Sequence, residues 1–190
     1  AARSQKGTLL FLTGPSGSGK TRLVHTTRSR ALNRGFVVCA GTLESASGPY
    51  ARFVDALQQA LESPLPPLVR KRLQACLRIR PELSGLIGWP QITGAGQPHP
   101  AVSKNALFQA LAHAFILLSG HGPALLIVED LHLCDDTTLE FLEYLAVRIR
   151  IHPLLVLATC RMEEGIPVSD GLLQLLERLD NRPGISRIVL

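Results

Sequence analysis

Gly14-Pro15-Ser16-Gly17-Ser18-Gly19-Lys20-Thr21 is the stretch on which the reading of this chain turns. It fits G-x-x-x-x-G-K-T, and its flanks fit as well. An apolar run, Thr8 to Thr13 (TLLFLT), leads in, and a segment of helical character, Lys20 to Leu32, leads out. Strand, glycine-rich turn and helix in that order make a cradle for phosphate. The glycines let the main chain turn its N–H groups inward around oxygen atoms, and the helix that follows presents the positive end of its dipole. In this setting Gly14, Pro15, Ser16, Gly17, Ser18 and Gly19 are expected to wrap the phosphates of a nucleotide. Lys20 is expected to reach the β- and γ-phosphates, and the Thr21 hydroxyl to ligate magnesium. A glycine-rich turn with an incidental lysine would need neither flank.

Outward from the loop, strand-like and helix-like segments alternate. Phe36 to Ala40 reads as a buried strand. Tyr50 to Leu61 is helical, with Phe53, Val54, Leu57 and Leu61 at helical spacing, and a basic helix follows from about Leu68 to Ile79. Residues 90–103 carry three prolines and two glycines and read as a mobile loop. Asn105 to Ser119 returns to helix. Ala124 to Val128 (ALLIV) is a continuous apolar run, the pattern of a parallel strand covered on both faces. A loop, Leu131 to Asp136, leads to a helix from Thr137 to Ile149. Leu154 to Ala158 is the next strand, Ser169 caps a short helix to Leu179, and Ile185 to Leu190 begins the last strand. Such alternation predicts an α/β fold, a parallel sheet sandwiched by helices in three layers, with ligands bound at the carboxyl ends of the strands. Three segments follow such ends: the phosphate loop, Glu129-Asp130 and Thr159-Cys160-Arg161. They are therefore expected to converge. A carboxylate at the tip of an apolar strand anchors magnesium, and a second one can polarise an attacking water. Glu129 is the expected metal residue and Asp130 the expected catalytic base.

Bulk properties agree with a globular domain. Of 190 residues, 46% are hydrophobic and 18% charged, and aromatics are only 5%, so the core is expected from Leu, Ile, Val and Ala. The net charge of +5 suits a polyanionic ligand, nucleotide or nucleic acid, although ordinary surface charge is the favoured explanation. The four cysteines are scattered without ligand spacing, which points to free thiols in a reducing, cytoplasmic setting and away from zinc. No run is long enough to span a membrane, and the first residues lack a secretory core. Both ends read as cut from something longer.

The segment LLIVEDLHLCDD, Leu125 to Asp136, resembles the second nucleotide motif of the AAA+-related P-loop signalling ATPases often called STAND ATPases, found in large LuxR-type transcription regulators and in cyclase and kinase fusions. Leu131, His132 and Asp135 match that pattern. The run Leu154 to Arg161 resembles the family's next strand and sensor region, and Gly48-Pro49-Tyr50 with Phe53 resembles a motif after its second strand. The resemblance spans Gly7 to Leu190. It implies a sheet in the order 5-1-4-3-2, ATP or ADP with Mg²⁺ as ligands, and slow hydrolysis in a nucleotide-dependent switch. It further implies a helical lid and effector domains downstream, and leaves a homo-oligomer open. Thr159 would contact the nucleotide, and Arg161, with Lys20 and Asp130, would act on the transferred phosphate. A surface ion pair with Glu163 or Glu164 is the other reading of Arg161.

The departures from the family pattern also matter. Glu129 stands where Asp is usual, which moves the carboxylate by about one C–C bond, ~1.5 Å. Leu133 replaces Trp and Cys134 replaces Ala, changes expected to affect packing more than chemistry. Residues 1–190 are read as one P-loop core. Competing functions are an AAA+ ATPase acting on DNA, for which Arg70-Lys71-Arg72 is the best support, a small-molecule kinase or transferase, and a nucleotide-binding scaffold without turnover.

Overall fold

The computed structural model describes residues 6–41, 49–88, 103–163, 165, 167–180 and 182–190. The elements are β1 (Thr8–Gly14), α1 (Lys20–Asn33), β2 (Val37–Gly41), α2 (Ala51–Glu62), α3 (Pro67–Ile79), α4 (Pro81–Leu86), α5 (Lys104–Leu118), β3 (Ala124–Val128), α6 (Asp136–Arg148), β4 (Leu154–Arg161), α7 (Asp170–Leu179) and β5 (Ile185–Val189). The expected loop over 90–103 lies outside the described residues except for Ser103, as do Gly48, Trp89, His99 and Glu164.

All five strands are parallel and run in the order β2-β3-β4-β1-β5. This is the expected order read from the opposite edge. Register does the positioning that matters for the site. Gly14 pairs with Arg161 across β1 and β4, and Val128 pairs with Ala158 across β3 and β4. The carboxyl ends of three strands, each followed by a chemistry-bearing segment, are thus brought level.

Local chemistry sets the helix boundaries. Asp135 caps α6 by accepting from Thr138 N–H at 2.7 Å, Ser103 caps α5, and Ser169 caps α7. Pro67 opens α3, where its missing N–H is no loss. The C-terminus of α2 is closed by Arg70, which donates to the carbonyls of Leu61 (2.9 Å) and Ser63 (2.6 Å). Helix α4 is an addition to the expected elements. It has six residues, less than two turns, and offers no periodicity for a sequence to display.

Helices cover both faces of the sheet, unequally. On one face, among the described residues, α1 packs over Leu12, Ala40, Leu125, Ile127 and Leu157 through Val24 and Ala31. The other face carries the main core, in which Leu9, Phe11, Leu126, Val156 and Cys160 of the sheet meet α2, α5, α6 and α7, with α3 and α4 behind α5. Leu, Ile, Val and Ala make up most of this core, as expected. Several of the sparse aromatics are nonetheless gathered within it, with Phe53 and Phe141 at 4.6 Å between centroids, Phe108 and Phe141 at 5.4 Å, and Tyr50 edge-on to Phe108 at 5.8 Å. Rings spread over nearly a hundred positions of sequence cluster because α2, α5 and α6 pack side by side, and edge-to-face contact adds to the area they bury.

Phe141 is fully buried at the centre of that cluster. Phe141→Ala is expected to lower unfolding free energy by about 3–5 kcal/mol in urea titration. Arg70→Ala, which uncaps α2 without opening a cavity, is expected to cost about 1–3 kcal/mol.

Candidate nucleotide-binding site

The phosphate loop folds as its glycines require. Gly17 and Gly19 have φ of 76° and 93°, backbone that side-chain-bearing residues seldom adopt, and Gly19 is the residue from which α1 starts. No side chain caps α1 and no acidic residue stands in its first turn, so its leading N–H groups and dipole face the loop without an internal anion. Lys20 Nζ donates to the carbonyls of Gly14 (2.9 Å) and Pro15 (2.7 Å) and to Ser18 Oγ (3.3 Å). The ammonium is held by the loop's own acceptors, with which a phosphate would compete.

Across from the loop, the tips of β3 and β4 close the site. A cleft of about 360 Å³ is lined by Ser16, Gly17, Gly19, Lys20, Thr21, Asp130, His132, Leu133 and Arg161. That size suits a drug-sized ligand. Of the residues expected at the site, the cleft gathers Ser16, Gly17, Gly19, Lys20, Thr21, Asp130 and Arg161. Gly14, Pro15 and Ser18 sit behind Lys20 as described above. Thr159 and Glu129 do not line it. Thr159 is buried, and its hydroxyl accepts the Asp130 N–H at 2.9 Å, tying β4 to the end of β3. Glu129 lies half-buried at the strand tip. Burial, then the neighbouring Asp130 charge, pushes its carboxyl above the ordinary glutamate range, while His25, Arg52 and Arg28 pull the other way.

Arg161 forms the ion pair that was one reading of it, and it also faces the cleft. It donates from Nη2 (2.8 Å) and Nε (3.1 Å) to Glu163 Oε2. The hydrogen bond from Arg161 is the main cause that holds the Glu163 carboxyl below the usual range, and a backbone hydrogen bond from Ser16 adds to it.

Two features escape the sequence reading. His132, taken there as a loop residue, lines the cleft; its Nδ1 accepts from Arg161 N–H at 3.4 Å, and burial is the main cause that lowers its pKa. Arg52 is the other. Its side chain is only 4% exposed and runs under the acidic strand tip, donating from Nε to Cys134 Sγ (3.0 Å) and from Nη2 to the Asp130 carbonyl (3.2 Å). The available signal was its place on the buried stripe of α2, four and eight positions before Ala56 and Ala60. Asp135, matched to the family pattern, works as the α6 cap, and Thr138 Oγ1, bonded to its Oδ2 at 3.1 Å, accepts the Tyr50 N–H at 3.0 Å.

The donor set fits a nucleotide with magnesium. Thr21 supplies a hydroxyl and Glu129 and Asp130 supply carboxylates, all hard oxygen ligands. Among the described residues no group of three or more His, Cys, Asp or Glu could hold a metal by itself.

Loop, helix and level strand tips together define a P-loop α/β domain of the ATPase type. The chain belongs to the AAA ATPase domain family, whose family model matches residues 1–157. No curated protein matches it. Among solved structures it is similar to a chain in that of Drosophila ORC bound to GC-rich DNA and Cdc6, at 16% identity and a TM-score of 0.46, covering 96% of this chain and 49% of that one. It is also similar to C. elegans PCH-2, at 16% and 0.39, covering 94% and 34%, and to a chain in the E. coli MS115-1 HORMA:CdnC:Trip13 complex, at 12% and 0.41, covering 98% and 49%. The chain therefore spans half or less of the length of each. No helix among the described residues is long and apolar enough to cross a membrane.

The Thr159–Asp130 tie is testable without any ligand. Thr159→Val keeps the shape and removes the acceptor, and is expected to cost about 1–3 kcal/mol in chemical denaturation. Thr159→Ser keeps the hydroxyl and is expected to lose less; equal losses in the two variants would mean that the hydrogen bond is not the reason.

Proposed function

We propose that this domain is a nucleotide-dependent switch that binds Mg-ATP, hydrolyses it slowly and works within a signalling or transcription-regulatory protein. The observation that carries the reading is the single cleft onto which the phosphate loop, Lys20, Thr21, Asp130 and Arg161 all open. In this reading the amides of the loop and of the first turn of α1 bind the phosphates, and Lys20 exchanges its carbonyl partners for β- and γ-oxygens. Thr21 and Glu129 hold the magnesium ion, which when bound neutralises phosphate charge. Asp130 takes a proton from the attacking water. Arg161 leaves Glu163 for the γ-phosphate, and Thr159 follows the nucleotide through the Asp130 amide it holds. Exchange of Arg161 between a carboxylate and a phosphate is the switching event, because it couples the strand β4 end to the presence of the third phosphate. A helical lid and effector domains in a longer chain would read that movement, and assembly into a homo-oligomer is compatible with it. Four free cysteines suit a cytoplasmic setting.

A second reading, binding without turnover, draws on one observation: Glu129, the expected metal residue, is not among the residues that line the cleft. Action on DNA draws less support, since Arg70 of the basic helix is engaged by the carbonyls of α2.

Calorimetric titration with ATP and ADP, with and without Mg²⁺, is expected to give micromolar or tighter binding, about −8 kcal/mol or better. Lys20→Ala is expected to weaken it about a hundredfold, ~2.7 kcal/mol. Unchanged affinity in that variant sinks the nucleotide reading. Phosphate release that is measurable in the parent and abolished in Asp130→Ala separates the switch from the scaffold; no release at saturating Mg-ATP selects the scaffold.

A further inference from the structure

Arg52 has the geometry of a device, not of a packing residue. A guanidinium that is 4% exposed carries a charge out of water, which is unfavourable by several kcal/mol unless its surroundings compensate. Its compensation is partial. Nε and Nη2 have partners, while Nη1 is buried with none among the described residues. An unmade bond of that kind is unfavourable by about 1–3 kcal/mol. An aliphatic side chain at this position would fill the space without that penalty.

What the arginine touches gives it a task. Among the described residues, two that are not glycine have a left-handed backbone: Tyr50, at φ 63°, and Asp130, at φ 54°. Each such residue stores roughly 1–3 kcal/mol of strain and persists only where its neighbours enforce it. Tyr50 is the residue from which α2 starts, two positions before Arg52, and it is anchored by its N–H to Thr138 Oγ1. Asp130 is the residue whose carbonyl Arg52 takes. Thr159 holds the same residue by its N–H, so that its peptide groups are gripped on both sides. β2 lies directly against the start of α2, close enough that a Cβ on Gly41 would collide with the Arg52 carbonyl oxygen. Cys134 supplies the second acceptor, and burial chiefly raises its thiol pKa.

We propose that Arg52 is a positioning residue, which with Cys134 as its second acceptor locks Asp130 in the left-handed turn that turns its carboxylate onto the cleft. The role assigned to that carboxylate rests on the function proposed above; the lock itself does not. The charge of Arg52 is also felt by Glu129, where it opposes the crowding of the two acids.

The test uses Arg52→Met, Arg52→Lys, Asp130→Asn and the double variant Arg52→Met/Asp130→Asn in the full chain. Amide hydrogen exchange is read at Asp130 and over 131–134, with Leu126 to Val128 of β3 as the internal control. Arg52→Met is expected to lower protection of the Asp130 amide about tenfold or more while β3 keeps its own. Single-turnover ATP cleavage is expected to fall about tenfold or more with ATP affinity within about threefold. In the Asp130→Asn background the same change is expected to alter cleavage by less than about twofold, because the two residues act as one unit. Arg52→Lys, which keeps the cation and can reach one acceptor, is expected to fall between, and serves alone if Arg52→Met does not fold. Unchanged exchange at Asp130 overturns the proposal, as does full additivity in the double variant. Lost protection in a protein whose parent cleaves no ATP supports the lock and overturns only the hydrolytic part of the proposed function.

Discussion

Parallel pairing of β1 with β4 in one register is the constraint on which the site rests. It sets Gly14 beside Arg161, so the phosphate loop and the arginine are neighbours before any side chain is considered. β3 joins the same strand from its other side with Val128 against Ala158, and the acidic pair then emerges one residue further on. A slip of one residue in either pairing would turn every strand residue to the opposite face. Leu9 and Phe11 would leave the aromatic side of the core for the thin layer under α1, and the strand tips would no longer be level. Core packing and site geometry are therefore specified by the same contacts, and the fully buried ALLIV strand, with apolar side chains on both faces, is the element that fits only in the middle of such a sheet.

The unequal dressing of the two faces follows from where the helices fall in the chain. Four of them, α2, α5, α6 and α7, are devoted to one face, and α3 and α4 thicken that side. Among the described residues, helix α1 is left to cover the other, burying only Val24 and Ala31. It is poorly amphipathic because its duty lies at its N-terminus, where its first turn meets the loop. The helix is placed by the phosphate cradle and packs as well as that placement allows.

Much of this was legible in sequence because it is local. The glycine loop, the apolar strands with their acidic or arginine tips, and the cap at Ser169 are all written within a few residues of where they act. Strand order was a different matter and came from the resemblance to known ATPases, since periodicity does not say which strands are neighbours. The aromatic cluster was missed because its members are brought together only by helix packing. Arg52 was missed for the same reason at greater range, its two partners lying 78 and 82 residues away. Cys134 was read as a packing change from alanine, and its sulfur gained a role only when a buried donor was seen to point at it.

The two arginines of the site show how exposure decides what a cation can do. Arg161 and Glu163 are each about two-fifths exposed, and an ion pair of that kind is worth no more than about 1 kcal/mol. A phosphate oxygen that brings more charge at the same distance displaces the carboxylate at little loss, so the pair is suited to exchange. Arg52 is in the opposite position. Its charge is buried, its acceptors are a backbone carbonyl and a neutral thiol, and releasing it would leave an uncompensated cation inside the protein. It cannot respond to a ligand by moving, which is the property wanted of a group that keeps Asp130 in a strained turn while, in the proposed switch, Arg161 changes partners beside it.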